Sequence, residues 1–219
     1  TLSPYWTILR IVADHTNVKL VEVPFFDRML EDGFDPVKQL EKYISSRTAA
    51  IYLNTPSNPT GMLLNREMLK QIASFATEKD LWLFADEAYE DFIWNGEDHI
   101  SIGSLPDMFE RTITIFTFSK CFGASGLRVG YAVGASPVIA ELNRGVVGGY
   151  YEVGRYDQLM AWRGMMRFEE AILPLRESYV ETWRWMNENL KLEMLPSVGG
   201  FYYFVKLPKS DKIIVIDSV

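Results

Sequence analysis

Thr112-Ile113-Thr114-Ile115-Phe116 runs directly into Thr117-Phe118-Ser119-Lys120, and Gly126-Leu127-Arg128-Val129-Gly130-Tyr131 follows at short range. The first run is β-branched and apolar and too short for a helix, so it reads as a buried strand over residues 112–118. The strand ends at hydroxyls and a lysine, and a second strand over 129–134 returns from a loop in which glycines frame an arginine. A primary amine at a strand end can form a Schiff base with a carbonyl. The neighbouring hydroxyls and the guanidinium can hold a phosphate.

Working outward, the same grammar repeats. Residues 48–53 and 81–85 are continuous apolar stretches suited to burial on both faces of a sheet. Between them, 65–79 carries Met68, Leu69, Ile72, Ala73 and Ala76 on one helical face. Upstream, a helix is expected over 5–14 and a strand over 18–23 that stops at Pro24. Another helix over 37–46 is opened by Asp35 as N-cap and Pro36 in the first turn. Alternating βα units imply an α/β fold, a mostly parallel sheet sandwiched by helices.

After Ser136-Pro137 the pattern is helical to about residue 190, with breaks expected at Gly148-Gly149 and Pro174. Short strands over 192–195 and 201–206 flank Gly199-Gly200, and 213–216 is apolar. The expected organisation is a large ligand-binding domain over 1–170. A linker helix and the beginning of a small α+β domain follow over 171–219.

Hydrophobic residues make up 48% of the 219, enough for a sizeable core. A net charge of −7, with no basic run or basic–aromatic stripe, argues against nucleic acid as a partner. The apolar stretches are strand-sized, so neither a membrane span nor a signal peptide is expected. Cys121, the single cysteine, forms no internal disulfide and fits a reducing cytoplasm; a small buried spacer is its expected role. His15 and His99 lack metal-ligand spacing and read as lone surface histidines.

In parallel sheets ligands bind beyond the carboxyl ends of the strands, and three polar clusters fall at such ends. Asn54-Thr55-Pro56-Ser57-Asn58-Pro59-Thr60-Gly61 is a stiff turn, either simply a well-made loop or a setting for Asn58 to donate to a ligand oxygen. Asp86 leaves an apolar strand, where a carboxylate is desolvated unless it meets a cation or donors; the alternative is an N-cap for a following helix. Ser119-Lys120 is the third cluster. Together they offer an amine, a carboxylate for a ring nitrogen, donors for a phenolate and a phosphate cup, which are the needs of pyridoxal 5'-phosphate.

Asn58-Pro59-Thr60-Gly61, Asp86-x-x-Tyr89 and Ser119-Lys120 with Gly126-x-Arg128-x-Gly130-Tyr131 resemble the class I/II aminotransferases, fold-type I pyridoxal-phosphate enzymes. The order and spacing match from about Pro4 to Leu207. The resemblance implies that Lys120 carries the cofactor as a Schiff base and then serves as the base. Asp86 would pair with the pyridine nitrogen, while Asn58 and Tyr89 would bond the ring hydroxyl. Thr117, which stands where the family more often has serine, would bind the phosphate with Arg128, and Ser119 lies close by. Pro4-Tyr5-Trp6 looks like the family's proline–x–aromatic segment, with Trp6 stacking on the ring or else packing in the core.

The resemblance also implies missing parts. The family's preceding portion carries a Gly-containing helix N-terminus that completes the phosphate cup, and a tyrosine offered to the neighbouring subunit of a homodimer. Its arginine for the substrate carboxylate follows the small-domain strands, yet no arginine follows Arg184 here. A fragment is therefore expected, weakly active or inactive alone. The expected activity of the full-length protein is amino transfer between an α-amino acid and a 2-oxo acid in the cytoplasm. A lyase eliminating at Cβ or cleaving C–S, and a non-catalytic pyridoxal-phosphate-sensing module, are the alternatives.

Overall fold

A computed structural model describes residues 1–149 and 151–206; the apolar run 213–216 lies outside them. The order is β1 (Leu2–Ser3), α1 (Ile8–His15), β2 (Val23–Pro24), α2 (Pro36–Glu41), β3 (Ala50–Asn54), α3 (Arg66–Glu78), β4 (Trp82–Asp86) and β5 (Thr112–Thr117). Then come α4 (Phe118–Cys121), β6 (Gly130–Val133), α5 (Ser136–Gly149), α6 (Arg155–Met165) and α7 (Phe168–Asn189).

The main sheet has the order β3-β4-β5-β6, and β1 pairs with β2 in a separate two-stranded ribbon. β3, β4 and β5 are parallel, as the alternation of elements predicts. β6 is antiparallel to β5. The connection between them contains a four-residue helix, too little to carry the chain back for a parallel strand.

Local chemistry sets the helix starts. The Asp35 carboxylate accepts from the amides of Val37 and Lys38, both at 3.0 Å, and Asn65 accepts from the Met68 amide at the head of α3. α3 then buries Leu69, Ile72, Ala73, Phe75 and Ala76. That face packs with Ile51, Leu53, Leu83 and Ala85 of the sheet in one cluster. Full burial of one such large apolar side chain stabilises by about 1.5–3 kcal/mol.

Several expectations need correction. The strand expected over 18–23 pairs only at Val23–Pro24, because its partner β1 is two residues long and Pro24 has no amide to extend the ladder. α1 begins at Ile8 and α2 ends at Glu41, both shorter than the apolar pattern suggests. Pro174 does not break the helix: α7 runs through it for 22 residues. One lost hydrogen bond is offset by packing on either side, where Ile172 is buried and Tyr179 stacks on Phe201 at 4.3 Å. The strands expected at 192–195 and 201–206 meet in a single antiparallel bridge, Met194 with Val205. Two strands without a third partner make a marginal ladder.

A second, smaller cluster joins Phe92, Phe118, Cys121, Val129, Ala161 and Ile172. It welds α6 and α7 to the segment around Lys120. Cys121 is buried as expected, and burial pushes its thiol up to about 12.

Candidate active site

The carboxyl ends of β3, β4 and β5 lie side by side, Asn54 in register with Asp86 and Asp86 with Ile115. Lys120 sits in the short helix that caps β5, with its ammonium 5.7 Å from the centre of the Tyr89 ring. Asp86, Tyr89 and Lys120 thus occupy one rim, as the strand-end clusters predict.

No α-helix follows Asp86, so its side chain is not an N-cap. It closes a turn by accepting from the Ala88 amide at 3.2 Å, and its other oxygen accepts from the Tyr52 hydroxyl. Burial raises the Asp86 carboxyl above the usual range, against the opposing help of Tyr52, the Ala88 amide and the Lys120 charge. Those partners do not compensate the lost hydration. A protonated ring nitrogen is the kind of donor such a carboxylate would take.

Asn54 clamps two loops: its amide donates to the Asp86 carbonyl at 2.8 Å, and its oxygen accepts from the Asn58 amide at 2.6 Å. Tyr89 is buried, and its hydroxyl meets that of Tyr202 at 2.6 Å. Burial, then the Tyr202 hydrogen bond, raises the Tyr89 phenol; the Asn58 side chain faces the same hydroxyl and opposes this.

The Thr117 hydroxyl accepts from the Ser119 amide at 3.2 Å and so caps α4. Thr117 is paired with Gly130, where a Cβ would come within 2.6 Å of the Phe116 carbonyl. Arg128 has left-handed backbone, φ +56°, uncommon for a non-glycine residue and costing about 1 kcal/mol or more. Its guanidinium donates to the Ser125 carbonyl at 2.9 Å. Trp6 precedes α1 with 49% of its surface exposed.

Three site neighbours went unread in the sequence: Tyr52, Asn54 as a clamp, and Tyr202. Tyr52 and Asn54 were recoverable, since alternate positions of one strand share a face. Tyr202 carried no local signal.

Gly61 holds the turn against the C-terminal segment. Its φ is +68°, and an added Cβ would lie 2.1 Å from Ser197 Oγ and 2.8 Å from the Tyr202 carbonyl. Its own carbonyl accepts from the amides of Val198 and Gly199. Gly61→Ala is expected to cost about 3 kcal/mol in urea unfolding, from left-handed strain plus overpacking. A cost below about 1 kcal/mol would mean that the loop yields freely.

Residues 1–216 match the family model described as aminotransferase class I and II. The chain is 36% identical over 196 residues to aromatic-amino-acid aminotransferase 2 of Thermococcus litoralis, covering 86% of this chain and 49% of that protein. It is 35% identical, with the same coverage, to an aspartate aminotransferase of Pyrococcus abyssi. The aromatic aminotransferase from Pyrococcus horikoshii OT3 superposes with a TM-score of 0.84 at 31% identity, over 94% of this chain and 56% of that one. The chain thus spans about half the length of the curated relatives it matches. With this fold and this match along its length, the chain belongs to the class I and II aminotransferase family.

Proposed function

We infer that the protein transfers an amino group between an α-amino acid and a 2-oxo acid with pyridoxal 5'-phosphate. The observation that carries this is the meeting of the Lys120 amine, the Tyr89 ring and the desolvated Asp86 carboxylate on one sheet rim. The relatives named above are aminotransferases, which supports the same reading.

Bound there, pyridoxal 5'-phosphate supplies an electron sink for negative charge developing at the substrate Cα. Lys120 would anchor the cofactor and would serve as the base for the proton at the substrate Cα. Asp86 holds the proton on the ring nitrogen, with Tyr52 orienting its carboxylate. Asn58 and Tyr89 donate to the ring hydroxyl, and Trp6 covers the ring. Thr117, Ser119 and Arg128 hold the phosphate. Residues 1–170 would form the cofactor-binding unit, and from 171 onward the described residues would supply a linker helix and part of a smaller unit.

The working form is a cytoplasmic homodimer. Exposed Leu159, Met160, Trp162 and Met165 along α6 supply apolar surface for a second copy. No helix among the described residues is long and apolar enough to cross a membrane.

Product analysis tests the reaction. Glutamate formed from 2-oxoglutarate supports transfer; pyruvate and ammonia from a β-substituted amino acid would replace it with elimination. Cofactor binding without either product would replace it with a sensing role.

Asp86→Asn removes the charge and keeps one acceptor oxygen for Tyr52, while its NH2 replaces the acceptor that meets the Ala88 amide. It is expected to weaken cofactor binding by roughly 10- to 100-fold, the worth of a charge-assisted hydrogen bond. Unchanged affinity in an absorbance titration would remove Asp86 from the ring nitrogen.

A further inference from the structure

Behind the site, on the face of the turn opposite Asp86, lies a buried carboxyl group that the proposed chemistry does not use. Glu87 is 1% exposed, and neither of its oxygens has a hydrogen-bond partner among the described residues. Its amide still bonds the Ile115 carbonyl at 3.0 Å, continuing the strand, so its side chain falls on the other face from that of Asp86.

His99 stands beside it, with Nδ1 4.0 Å from Glu87 Oε2. This is not the lone surface histidine that its spacing suggested; its side chain is 10% exposed. Nε2 lies 3.1 Å from the Thr55 carbonyl. A carbonyl only accepts, so Nε2 carries the hydrogen and the lone pair of a neutral ring is on Nδ1. That lone pair faces a carboxyl group whose ionised form also only accepts. At 4.0 Å the two are beyond a direct hydrogen bond, but two acceptors so placed in a buried setting repel, and a proton on the carboxyl relieves the repulsion and can close the gap.

Thr55 makes this arrangement matter to the site. Its amide donates to the Asp86 carbonyl at 3.2 Å, and it opens the turn that carries Asn58. We propose that Glu87 and His99 share one proton and thereby act as a positioning pair, holding the Asp86 and Asn58 loops together from behind the cofactor site. The cofactor part of this rests on the pyridoxal-phosphate reading above; the proton sharing does not.

The surroundings agree. Burial pushes Glu87 up to about 7, with Glu90 and Asp86 adding repulsion; the nearby Ser101 hydroxyl and Ile102 amide oppose it without reaching hydrogen-bond geometry. Burial holds His99 below its ordinary value, while the Thr55 carbonyl favours its protonated form. Glu90, itself pushed up to about 7 by burial and by Asp91, lies on the same side. A carboxyl raised in this way is protonated below its folded value, so the shared proton is present under about pH 7 and lost as pH rises through it.

The test uses the 219-residue chain, whose two histidines make ¹⁵N imidazole spectra simple to assign with His15→Asn. Between about pH 5.5 and 8.5, His99 is expected to keep its hydrogen on Nε2 while Nδ1 reports a step near 7. Glu87→Gln is expected to abolish the step, because its amide donates to Nδ1 at every pH. A hydrogen on Nδ1, a wild-type titration without the step, or a step that survives in Glu87→Gln would overturn proton sharing. So would a step abolished by stoichiometric Zn²⁺, since Glu87, Glu90 and His99 would then hold a cation instead.

Positioning is read from amide exchange at Thr55 and Asn58. Protection is expected to fall roughly tenfold across the step in the wild type and to stay flat in Glu87→Gln. Constant protection in the wild type would overturn the positioning role, and this readout needs no cofactor. Pyridoxal phosphate titrated by absorbance should weaken in parallel. Failure of that arm alone, with the other two intact, counts against the cofactor reading and not against the pair.

Discussion

Lys120→Ala is expected to eliminate the absorbance between about 360 and 430 nm that pyridoxal phosphate gives when linked to the protein, together with its loss on borohydride treatment. The link needs an unhindered primary amine, and Lys120 offers one at the end of β5, on the rim it shares with Tyr89 and Asp86. Lys120→Arg is expected to fail equally, since a guanidinium keeps the charge but remains protonated and does not attack a carbonyl. The pair of variants separates nucleophile from charge. Amino-transfer turnover should fall by at least about 10⁴-fold, because base and anchor are lost together. A borohydride-sensitive band retained in Lys120→Ala would place the link on another residue and dissolve the proposed site.

The loss should also be felt at Asp86. The Lys120 charge is one of the influences that favour its ionised form, so its carboxyl should rise further in Lys120→Ala. Difference infrared spectroscopy of the carboxyl stretch would show this, and no change would mean that the two groups do not sense one another. A carboxyl that rises in this way holds its proton to higher pH and presents less anion to a ring nitrogen.

What could be read from the chain was set by locality. Strands 112–118 and 81–85 announce themselves because a buried parallel strand is apolar throughout, and the first polar residue after it marks the rim. The rim positions of Lys120, Asp86 and Asn58 were legible for that reason. Arg128 and Thr117 depended on the spacing of a loop, and the left-handed backbone at Arg128 left no mark in the sequence. Tyr202 was illegible because it meets Tyr89 across 113 residues, through a fold that local periodicity does not encode. His99 misled for the opposite reason. The two residues before it, Glu97 and Asp98, are polar, yet the loop turns its ring inward against Glu87 and Thr55. Pro174 misled because propensity counts one missing amide, while burial of Ile172 acts along the whole turn.

The second large effect is expected at Phe92, which joins the site to the C-terminal segment. Phe92 is fully buried, with the rings of Trp94, Tyr179 and Phe201 at 5.8, 5.8 and 4.7 Å. Its amide bonds the Tyr89 carbonyl, and its carbonyl accepts from the Gly200 amide at 2.8 Å. The ring therefore packs between the turn that presents Tyr89 and the loop that presents Tyr202. Phe92→Ala is expected to cost about 3–5 kcal/mol, the range for a buried phenylalanine whose cavity cannot collapse. In a chain of this length that corresponds to a fall in Tm of about 10 °C. Ile72→Ala, fully buried on α3 in the other cluster, should cost about 2–5 kcal/mol and serves as the control. Both variants lower global stability, but only Phe92→Ala should selectively lose exchange protection at the Gly200 amide and at Trp94, which bonds the Val198 carbonyl. The contact between the Tyr89 and Tyr202 hydroxyls should loosen with them. Equal local exchange in the two variants would mean that the C-terminal segment is held by its backbone bonds to Gly61 alone. A cost under about 1 kcal/mol at Phe92 would mean that the aromatic cluster repacks without it.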